Sequence, residues 1–314
     1  MPEESQLSII IPAFNEAENL KLILPSVLEL CKRNNWKLII VDDGSRDHTK
    51  EVLDSFIPPS PGGESLSRKG EADIGRLDVK LVTLIHHKLN KGYGAAIKTG
   101  IMACETEFAI TIDADGQHRT EDIELLFASL KSKDADMIVG SRKGVRPASR
   151  YRGIGKSIIR MIAKILMSVP IHDINSGMKI FRTALARKYI HLAPDTMSYS
   201  DIITLIFINN RHLVLEEPIT ITKRLEGKST IGIETAFQTV MEIINIVILF
   251  NPARIFFPLA LICLISGLAV GIPILVKGHG VSTGSLLGIF AGIIFFLLGL
   301  IAEQLSLIRR NPNT

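Results

Sequence analysis

Two aspartates, Asp113 and Asp115, stand one residue apart directly after the apolar stretch 108–112. Carboxylates held that close repel each other unless a cation offsets their charge. A hard divalent ion, Mg²⁺ or Mn²⁺, does this and keeps coordination positions open for phosphate oxygens. Gln117 and His118 add an amide oxygen and an imidazole within the next turn. Taken alone, the pair reads equally well as a turn whose aspartates cap a helix starting near Thr120. Repetition decides between the two. Pro12-Ala-Phe-Asn-Glu16 follows one short apolar run, and Asp42-Asp43-Gly44-Ser45 follows another. One acidic strand end is an ordinary cap, whereas three at equivalent strand ends form a cleft.

A metal held by two carboxylates suits a diphosphate leaving group, whose charge it neutralises as the bond breaks. Asp42 and Asp43 are better suited to hydrogen-bonding a base edge or ribose hydroxyls than to holding phosphate. The sequence contains no Gly-x-x-x-x-Gly-Lys-Ser/Thr loop, which disfavours a P-loop kinase or ATPase. Pro-Ala-Phe-Asn-Glu stands where a dinucleotide oxidoreductase would carry Gly-x-Gly-x-x-Gly, so that class is disfavoured too.

The elements that must position these clusters alternate in type. Strands are predicted over 7–12, 36–41, 79–84, 108–112, 136–140 and 213–223, and helices over 20–30, 47–56 and 92–104. Such alternation specifies an α/β domain with a mostly parallel sheet covered on both faces. In sheets of that kind ligands bind beyond the carboxyl ends of the strands, where the three clusters fall. Residues 58–76, rich in Pro, Gly, Ser and charge, read as an exposed insertion.

The chain has 314 residues, 46% of them hydrophobic, with a mean hydropathy of +0.28. That value reflects two uncharged runs, 255–276 and 281–302. Each would make a helix roughly 33 Å long, enough for a bilayer core of about 30 Å. Lys223, Arg224, Lys228 and Arg254 precede the first run, and Arg309 and Arg310 follow the second. The positive-inside rule then puts both ends in the cytoplasm, and with no secretory h-region at the N-terminus the catalytic part is expected there too. Residues 233–250 have the pattern of an amphipathic helix at the membrane surface, with Glu234, Gln238, Glu242 and Asn245 at near-helical spacing. Net charge is +4, and the basic residues gather between 142 and 160 and near the membrane. Anionic lipid or phosphate is the partner this implies, and no nucleic-acid module is present. Cys31, Cys104 and Cys263 lie far apart in apolar segments and read as reduced residues.

The stretches Ser8-Ile-Ile-Ile-Pro-Ala-Phe-Asn-Glu16, Ile40-Val-Asp-Asp-Gly-Ser45, Asn90-Lys-Gly-Tyr-Gly-Ala-Ala96, Asp113-Ala-Asp-Gly-Gln-His118 and Gly140-Ser-Arg142 together resemble the GT-A-fold inverting glycosyltransferases. More closely they resemble the dolichol-phosphate mannosyltransferase and polyprenyl-phosphate glycosyltransferase group. The resemblance runs over roughly residues 7–230, and the two apolar runs match members with a membrane tail. It implies a Rossmann-like nucleotide-diphospho-sugar transferase domain over 1–230, an interface helix over 231–252 and two transmembrane helices over 253–308. Gly116, where many relatives have Leu, and the 58–76 insertion are departures.

Residue by residue, the resemblance implies that Pro12, Ala13, Asn15 and Glu16 line the nucleotide pocket, with Asp42 and Asp43 reading base and ribose. Lys91 and Gly92 to Ala95 would sit beside the nucleotide, the glycines allowing close backbone approach. Asp113, Asp115 and Gln117 would hold Mg²⁺ or Mn²⁺, with Asp113 and Ala114 also against the nucleotide. Arg142, Arg150, Arg152, Lys156 and Ser157 could bind an anion, and in the family an Arg and a Ser of this region contact the lipid phosphate. Arg224, Lys228 and Ser229 resemble a second basic group that closes over the diphosphate. Asp173-Ile-Asn-Ser-Gly177, with Arg182, matches a turn that shapes the acceptor pocket, although Asp173 is equally placed to cap a helix.

The reaction this implies is a single displacement with inversion, from a UDP- or GDP-linked sugar to a polyprenyl phosphate. Asp115 and Arg142 stabilise the departing charge. A phosphate acceptor is already ionised near neutral pH and needs no strong base, whereas a hydroxyl acceptor would, and Asp201 is the candidate by position. The rival readings are transfer to a lipid hydroxyl such as that of diacylglycerol, and an inactive membrane subunit. A processive polysaccharide synthase would carry Gln-x-x-Arg-Trp before its membrane region, and the sole tryptophan here is Trp36. Oligomeric state, sugar and base are left open.

Overall fold

The computed structural model describes residues 5–56, 81–142, 170–220, 251–278 and 280–310, and Met241, Ile244, Val247 and Ile248. The 58–76 insertion, Arg150, Arg152, Lys156, Ser157, Lys223, Arg224, Lys228, Ser229 and the rest of the predicted interface helix lie outside the described residues. The chain divides into two compact units.

The first unit is built on a seven-stranded sheet. In chain order its elements are β1 (Leu7–Ala13), α1 (Ala17–Asn34), β2 (Lys37–Asp42), α2 (Thr49–Phe56), β3 (Val82–His86), α3 (Tyr93–Ala103), β4 (Phe108–Thr111), α4 (Thr120–Ser132), β5 (Met137–Ser141), β6 (Lys179–Arg182), α5 (Thr183–Tyr189), α6 (Tyr199–Asn209) and β7 (Val214–Pro218). The strands lie in the order β3-β2-β1-β4-β6-β5-β7. Every residue of β1 is buried, the mark of a parallel strand covered on both faces. Leu7, Ile9 and Ile11 face Leu20, Leu24, Val52 and Leu126 of α1, α2 and α4. Ile10 points the other way, onto Gly100 of α3, where a Cβ would lie 2.5 Å from its Cγ2. α5 and α6 pack beside α3.

The expected mostly parallel α/β sheet is present, with one strand reversed. β6 runs antiparallel to both neighbours, β4 and β5, while the other four ladders are parallel. Lys179-Ile-Phe-Arg182 is too short and too charged to stand out as a strand. β3 is also displaced from its expected span: it ends at His86, because its ladder with β2 pairs Leu38 with Val82 and Asp42 with His86. That register carries two histidines to the same sheet end as the acidic clusters.

The described part of the second unit is mainly two helices, α7 (Ala253–Val276) and α8 (Thr283–Arg310). Small residues let them meet closely. A Cβ on Gly267 would lie 2.9 Å from the Ile289 nitrogen, and one on Gly299 2.9 Å from the Phe257 ring. Phe257 stacks on Phe296 at 5.4 Å, and the Ser285 hydroxyl donates to the Gly267 carbonyl. Both helices are long and apolar enough to cross a bilayer, and only 11% and 17% of their most apolar windows are buried. A core helix of a soluble protein would be mostly covered. These expose Leu261, Ile262, Ile272, Phe290 and Leu297, which suits contact with lipid.

Candidate active site

The loops after β1 and β2 are tied to each other by side chains accepting from backbone. The Asn15 N–H donates to the Ser45 hydroxyl at 2.9 Å, and the Arg46 N–H to the Asn15 side-chain oxygen at 2.8 Å. The Glu16 N–H donates to Thr49 Oγ1 at 2.9 Å. Asn15 itself has φ +56°, a left-handed conformation that Asn adopts more readily than most residues. Pro12, Ala13, Asn15 and Glu16 thus share one wall with Asp42 and Asp43.

Asp42 accepts from the Ser45 N–H at 3.0 Å and lies 2.8 Å from His86 Nδ1. Burial pushes its carboxyl up, but the bonds from Ser45 and His86 outweigh this and hold it below the usual range. Asp43, 2% exposed, lies 2.6 Å from His87 Nδ1 and accepts from the Lys91 and Gly92 N–H groups at 2.9 and 2.8 Å. It is the strut that shapes the 87–92 segment. The glycines after it admit protein backbone. A Cβ on Gly92 (φ +105°) would lie 2.4 Å from the Asp195 carbonyl oxygen, and one on Gly94 2.3 Å from that of Pro194. The Gly94 and Ala95 N–H groups donate to the Asp195 carbonyl at 2.9 and 3.3 Å. The start of α3 is therefore sealed by residues 194–195, which take up the space that close ligand approach would require.

Asp113 and Asp115 follow β4. Asp113 Oδ1 accepts from the Tyr93 hydroxyl at 2.8 Å, and Oδ2 lies 3.6 Å from His118 Nε2. Gly177 packs so closely that a Cβ there would sit 2.1 Å from Asp113 Oδ2. The Asp113 side chain is still about a third exposed, at 32%. Burial raises its carboxyl, yet His118, Tyr93 and the Arg142 charge outweigh burial and keep it below the usual range, hence ionised. Tyr93 is driven the other way, first by burial and then by the Asp113 charge, so its hydroxyl stays protonated and donating. Asp115, 7% exposed, accepts from the Gln117 N–H at 3.2 Å. The aspartates shape this turn, and neither caps α4, whose N-cap residue is Arg119. A cavity of about 320 Å³ adjoins Asp113, between His118 and the α1 residues Leu22 and Ile23.

Among the described residues no cluster of three His, Cys, Asp or Glu could cage a metal. Two carboxylates with the Gln117 amide nonetheless fit Mg²⁺ or Mn²⁺. Such ions are commonly bound through one or two carboxylates and completed by substrate phosphates.

The second charged group follows β5. Arg142 grips Asp173 through Nε and a terminal nitrogen at 2.7 and 2.8 Å, and that nitrogen also donates to the Asn175 oxygen at 2.7 Å. The bond to Asp173 raises the Arg142 pKa against the effect of burial. Asp173 is thus the partner of Arg142 rather than a helix cap. Lys179, on the reversed strand, was not anticipated. It is 1% exposed, and its Nζ donates at 2.7 Å to the carbonyls of Ile174 and Ser200. Burial lowers its pKa to about 7, against the charges of Asp201 and Asp173. Asp201, 8% exposed in the first turn of α6, completes the group. Asp113 acts electrostatically on both Arg142 and Lys179, so the metal-type carboxylate and the basic group share one field.

Arg182 departs from its expected place. Because β6 is antiparallel, Lys179 pairs with Thr111 at the site end of β4, and Arg182 pairs with Phe108 at the far end. There it meets Glu107, Asp134 and Asp136 at 3.1, 2.5 and 3.5 Å. The residues missed from sequence are His86, His87 and Lys179, and for Tyr93, inside the Gly92–Ala95 stretch, the bond to Asp113 was not anticipated. Lys179 did leave a signal, a lone cation between Met178 and Ile180-Phe181.

Residues 8–190 match the model of Glycosyl transferase family 2, more than half of the chain. The chain belongs to that family. Residues 251–308 match a second model, the GtrB C-terminal hairpin. A polyprenol monophosphomannose synthase of Mycolicibacterium smegmatis is 30% identical over 230 residues, covering 70% of this chain and 79% of that protein. A dolichyl-phosphate beta-glucosyltransferase of Trichomonas vaginalis is 28% identical over 57% of this chain and 54% of its own length, so the chain spans about half of that relative. Among solved structures, glucosyl-3-phosphoglycerate synthase of Mycobacterium tuberculosis, crystallised with Mn²⁺, UDP-glucose and phosphoglyceric acid, superposes with a TM-score of 0.54 at 14% identity. It covers 77% of this chain and 80% of its own, and at that identity the likeness establishes the fold. This family 2 member is a glycosyltransferase with a GT-A-like α/β domain and two apolar C-terminal helices.

Proposed function

We propose that this glycosyltransferase moves a sugar from a UDP- or GDP-linked donor to a polyprenyl phosphate, with inversion, at the cytoplasmic face of a membrane. The observation that carries the reading is the convergence of ionised Asp113 with the Arg142–Asp173 pair and Lys179 at one sheet end. A carboxylate suited to a cation and an arginine suited to an anion, in one field, support a reaction between a diphosphate donor and a phosphate acceptor. The names of the relatives, which act on polyprenol and dolichyl phosphates, support the same acceptor class.

Pro12, Ala13, Asn15, Glu16 and Asp42 line the nucleotide wall, and Asp43 holds the segment through Lys91 and Gly92 beside it. Asp113, Asp115 and Gln117 would hold Mg²⁺ or Mn²⁺. The bound cation would offset the charge that builds on the diphosphate as the sugar leaves. Arg142, oriented by Asp173, would meet the acceptor phosphate, and Arg152, Ser157, Arg224, Lys228 and Ser229, which lie outside the described residues, are assigned to that phosphate from the sequence alone. The phosphate attacks as an anion, so Asp201 serves as a charge partner for Lys179 rather than as a base. The flanking basic charge of the apolar hairpin supports the cytoplasmic placement.

The test is a panel of nucleotide sugars incubated with membranes containing the full chain, with either polyprenyl phosphate or diacylglycerol as acceptor. Product mass and anomeric configuration are read out. A polyprenyl-phosphate sugar of inverted configuration, formed only with added Mg²⁺ or Mn²⁺, is the expected result. Product on diacylglycerol alone would reassign the acceptor and make Asp201 the base, and no transfer from any donor would point to an inactive subunit.

A further inference from the structure

The first turn of α3 has an unusual arrangement. A helix N-terminus ordinarily offers free N–H groups to an anion. Here the Gly92 N–H is taken by Asp43, and those of Gly94 and Ala95 by the Asp195 carbonyl. Lys98, one turn on, pairs with the Asp195 carboxylate at 2.8 Å. Gly92 and Gly94 leave out the side chains that would push residues 194–195 away. This turn is built to hold Tyr93 in one orientation.

The Tyr93 hydroxyl donates to Asp113 Oδ1 at 2.8 Å, and the Ser200 side chain, next to Asp201, also acts on it electrostatically. On its other sides the same carboxylate meets Gly177 and His118, and about a third of the side chain stays exposed. A carboxylate on a short side chain rotates about two bonds, and a divalent cation needs its oxygen at a set place. Hydrogen bonds behind the ligand remove that freedom.

We propose that Tyr93 is the positioning residue that aims the Asp113 carboxylate at the divalent cation. The proposal rests on the reading of Asp113 as a metal ligand. Because Ser200 acts on the same hydroxyl, Tyr93 also stands beside the start of α6. Lys179 holds the Ser200 carbonyl from the acceptor side.

The experiment is Mn²⁺ binding to the detergent-solubilised full chain with UDP or GDP present, followed by electron paramagnetic resonance without acceptor, for wild type and Tyr93→Phe. The melting temperature of each and the Mn²⁺ dependence of transfer are measured alongside. Phe keeps the ring and removes only the donor. Expected is a loss of Mn²⁺ affinity of about 10- to 100-fold, an unchanged melting temperature without metal, and turnover restored by saturating Mn²⁺. Affinity within about twofold of wild type would overturn the proposal while leaving the metal reading intact. A fall in melting temperature with no recovery at saturating Mn²⁺ would make Tyr93 a structural residue and also overturn it. Wild-type protein that binds no Mn²⁺ would remove the metal reading itself, and the proposal with it.

Discussion

The proposed nucleotide wall and the proposed acceptor group lie at the same sheet end and are made in different ways. The nucleotide wall is woven from turn residues whose side chains accept from backbone N–H groups, as Asn15, Ser45, Thr49 and Asp43 do. Each bond is modest, and its parts sit within a few residues of a strand end. The acceptor group is made of charges, Arg142 with Asp173 and Lys179 with Asp201, brought together from segments far apart in the chain. Its groups hold one another in place, and no single segment would position them alone. Damage to the first wall should therefore be local and graded, whereas damage to the second should spread across it.

The largest effect expected is that of Asp115→Ala, which removes one of the two carboxylates proposed to hold the divalent cation. Transfer should fall by about a hundred- to a thousandfold, with nucleotide binding retained in equilibrium titration and the protein still folded. Near-normal turnover would take the metal out of the mechanism.

Lys179→Met comes next and tests the acceptor group alone. Misplacing Arg142 and Asp201 by a fraction of an ångström should lower kcat on the order of a hundredfold, with donor binding nearly unchanged. Its pH signature is distinctive. Burial depresses the folded-state pKa of Lys179 to about 7, from an ordinary lysine value of 10.5. Below pH 7 the ammonium is protonated folded and unfolded, and its burial cost is fully present. Above pH 7 the unfolded chain binds the extra proton, so that cost fades as pH rises toward the unfolded value. Melting temperatures from pH 6.5 to 9.5 should therefore rise for wild type relative to Lys179→Met. Parallel curves would show that the ammonium is not depressed.

A smaller effect belongs to the nucleotide wall. Asp43→Asn replaces one of the two oxygens that accept from the Lys91 and Gly92 N–H groups with an amide donor, which should destabilise by about 1–3 kcal/mol. The KM for donor should rise and that for acceptor should not, which separates the two walls in one kinetic experiment. Least of all should come from Arg182→Ala, at the far end of the reversed strand. Its partners Glu107 and Asp134 are mostly exposed, at 61% and 89%. A loss under about 1 kcal/mol, with both KM values unchanged, is expected by thermal melt and kinetics. A raised acceptor KM would return Arg182 to the site.

The two sides were also unequally legible. Asp113-Ala-Asp-Gly-Gln-His118 and the clusters after β1 and β2 could be read directly, because in a parallel sheet the residues after each strand arrive at one edge whatever the order of the strands. The Glycosyl transferase family 2 membership and the apolar hairpin followed from equally local patterns. Lys179 and Arg182 could not be sorted by the same logic. Three residues apart on a short strand, they go to opposite ends of the sheet, and only the direction of β6 says which reaches the site. Gly92 and Gly94 were recognisable as places of close approach, but what approaches is the 194–195 backbone, a hundred residues away in the chain.

By itself, then, the sequence determined that Asp113 and Asp115 stand at the end of a buried strand, the α/β alternation that presents them, and the two apolar helices. Composition and period act through neighbours along the chain, and these features need nothing more. The tertiary structure decided which charges meet: that Asp173 serves Arg142, that Lys179 is buried between Ile174 and Ser200, and that Tyr93 holds Asp113. Such pairings depend on strand direction and on loop packing across the sheet. Their energy comes from bringing polar groups together out of water, and the chain specifies that only once it is folded.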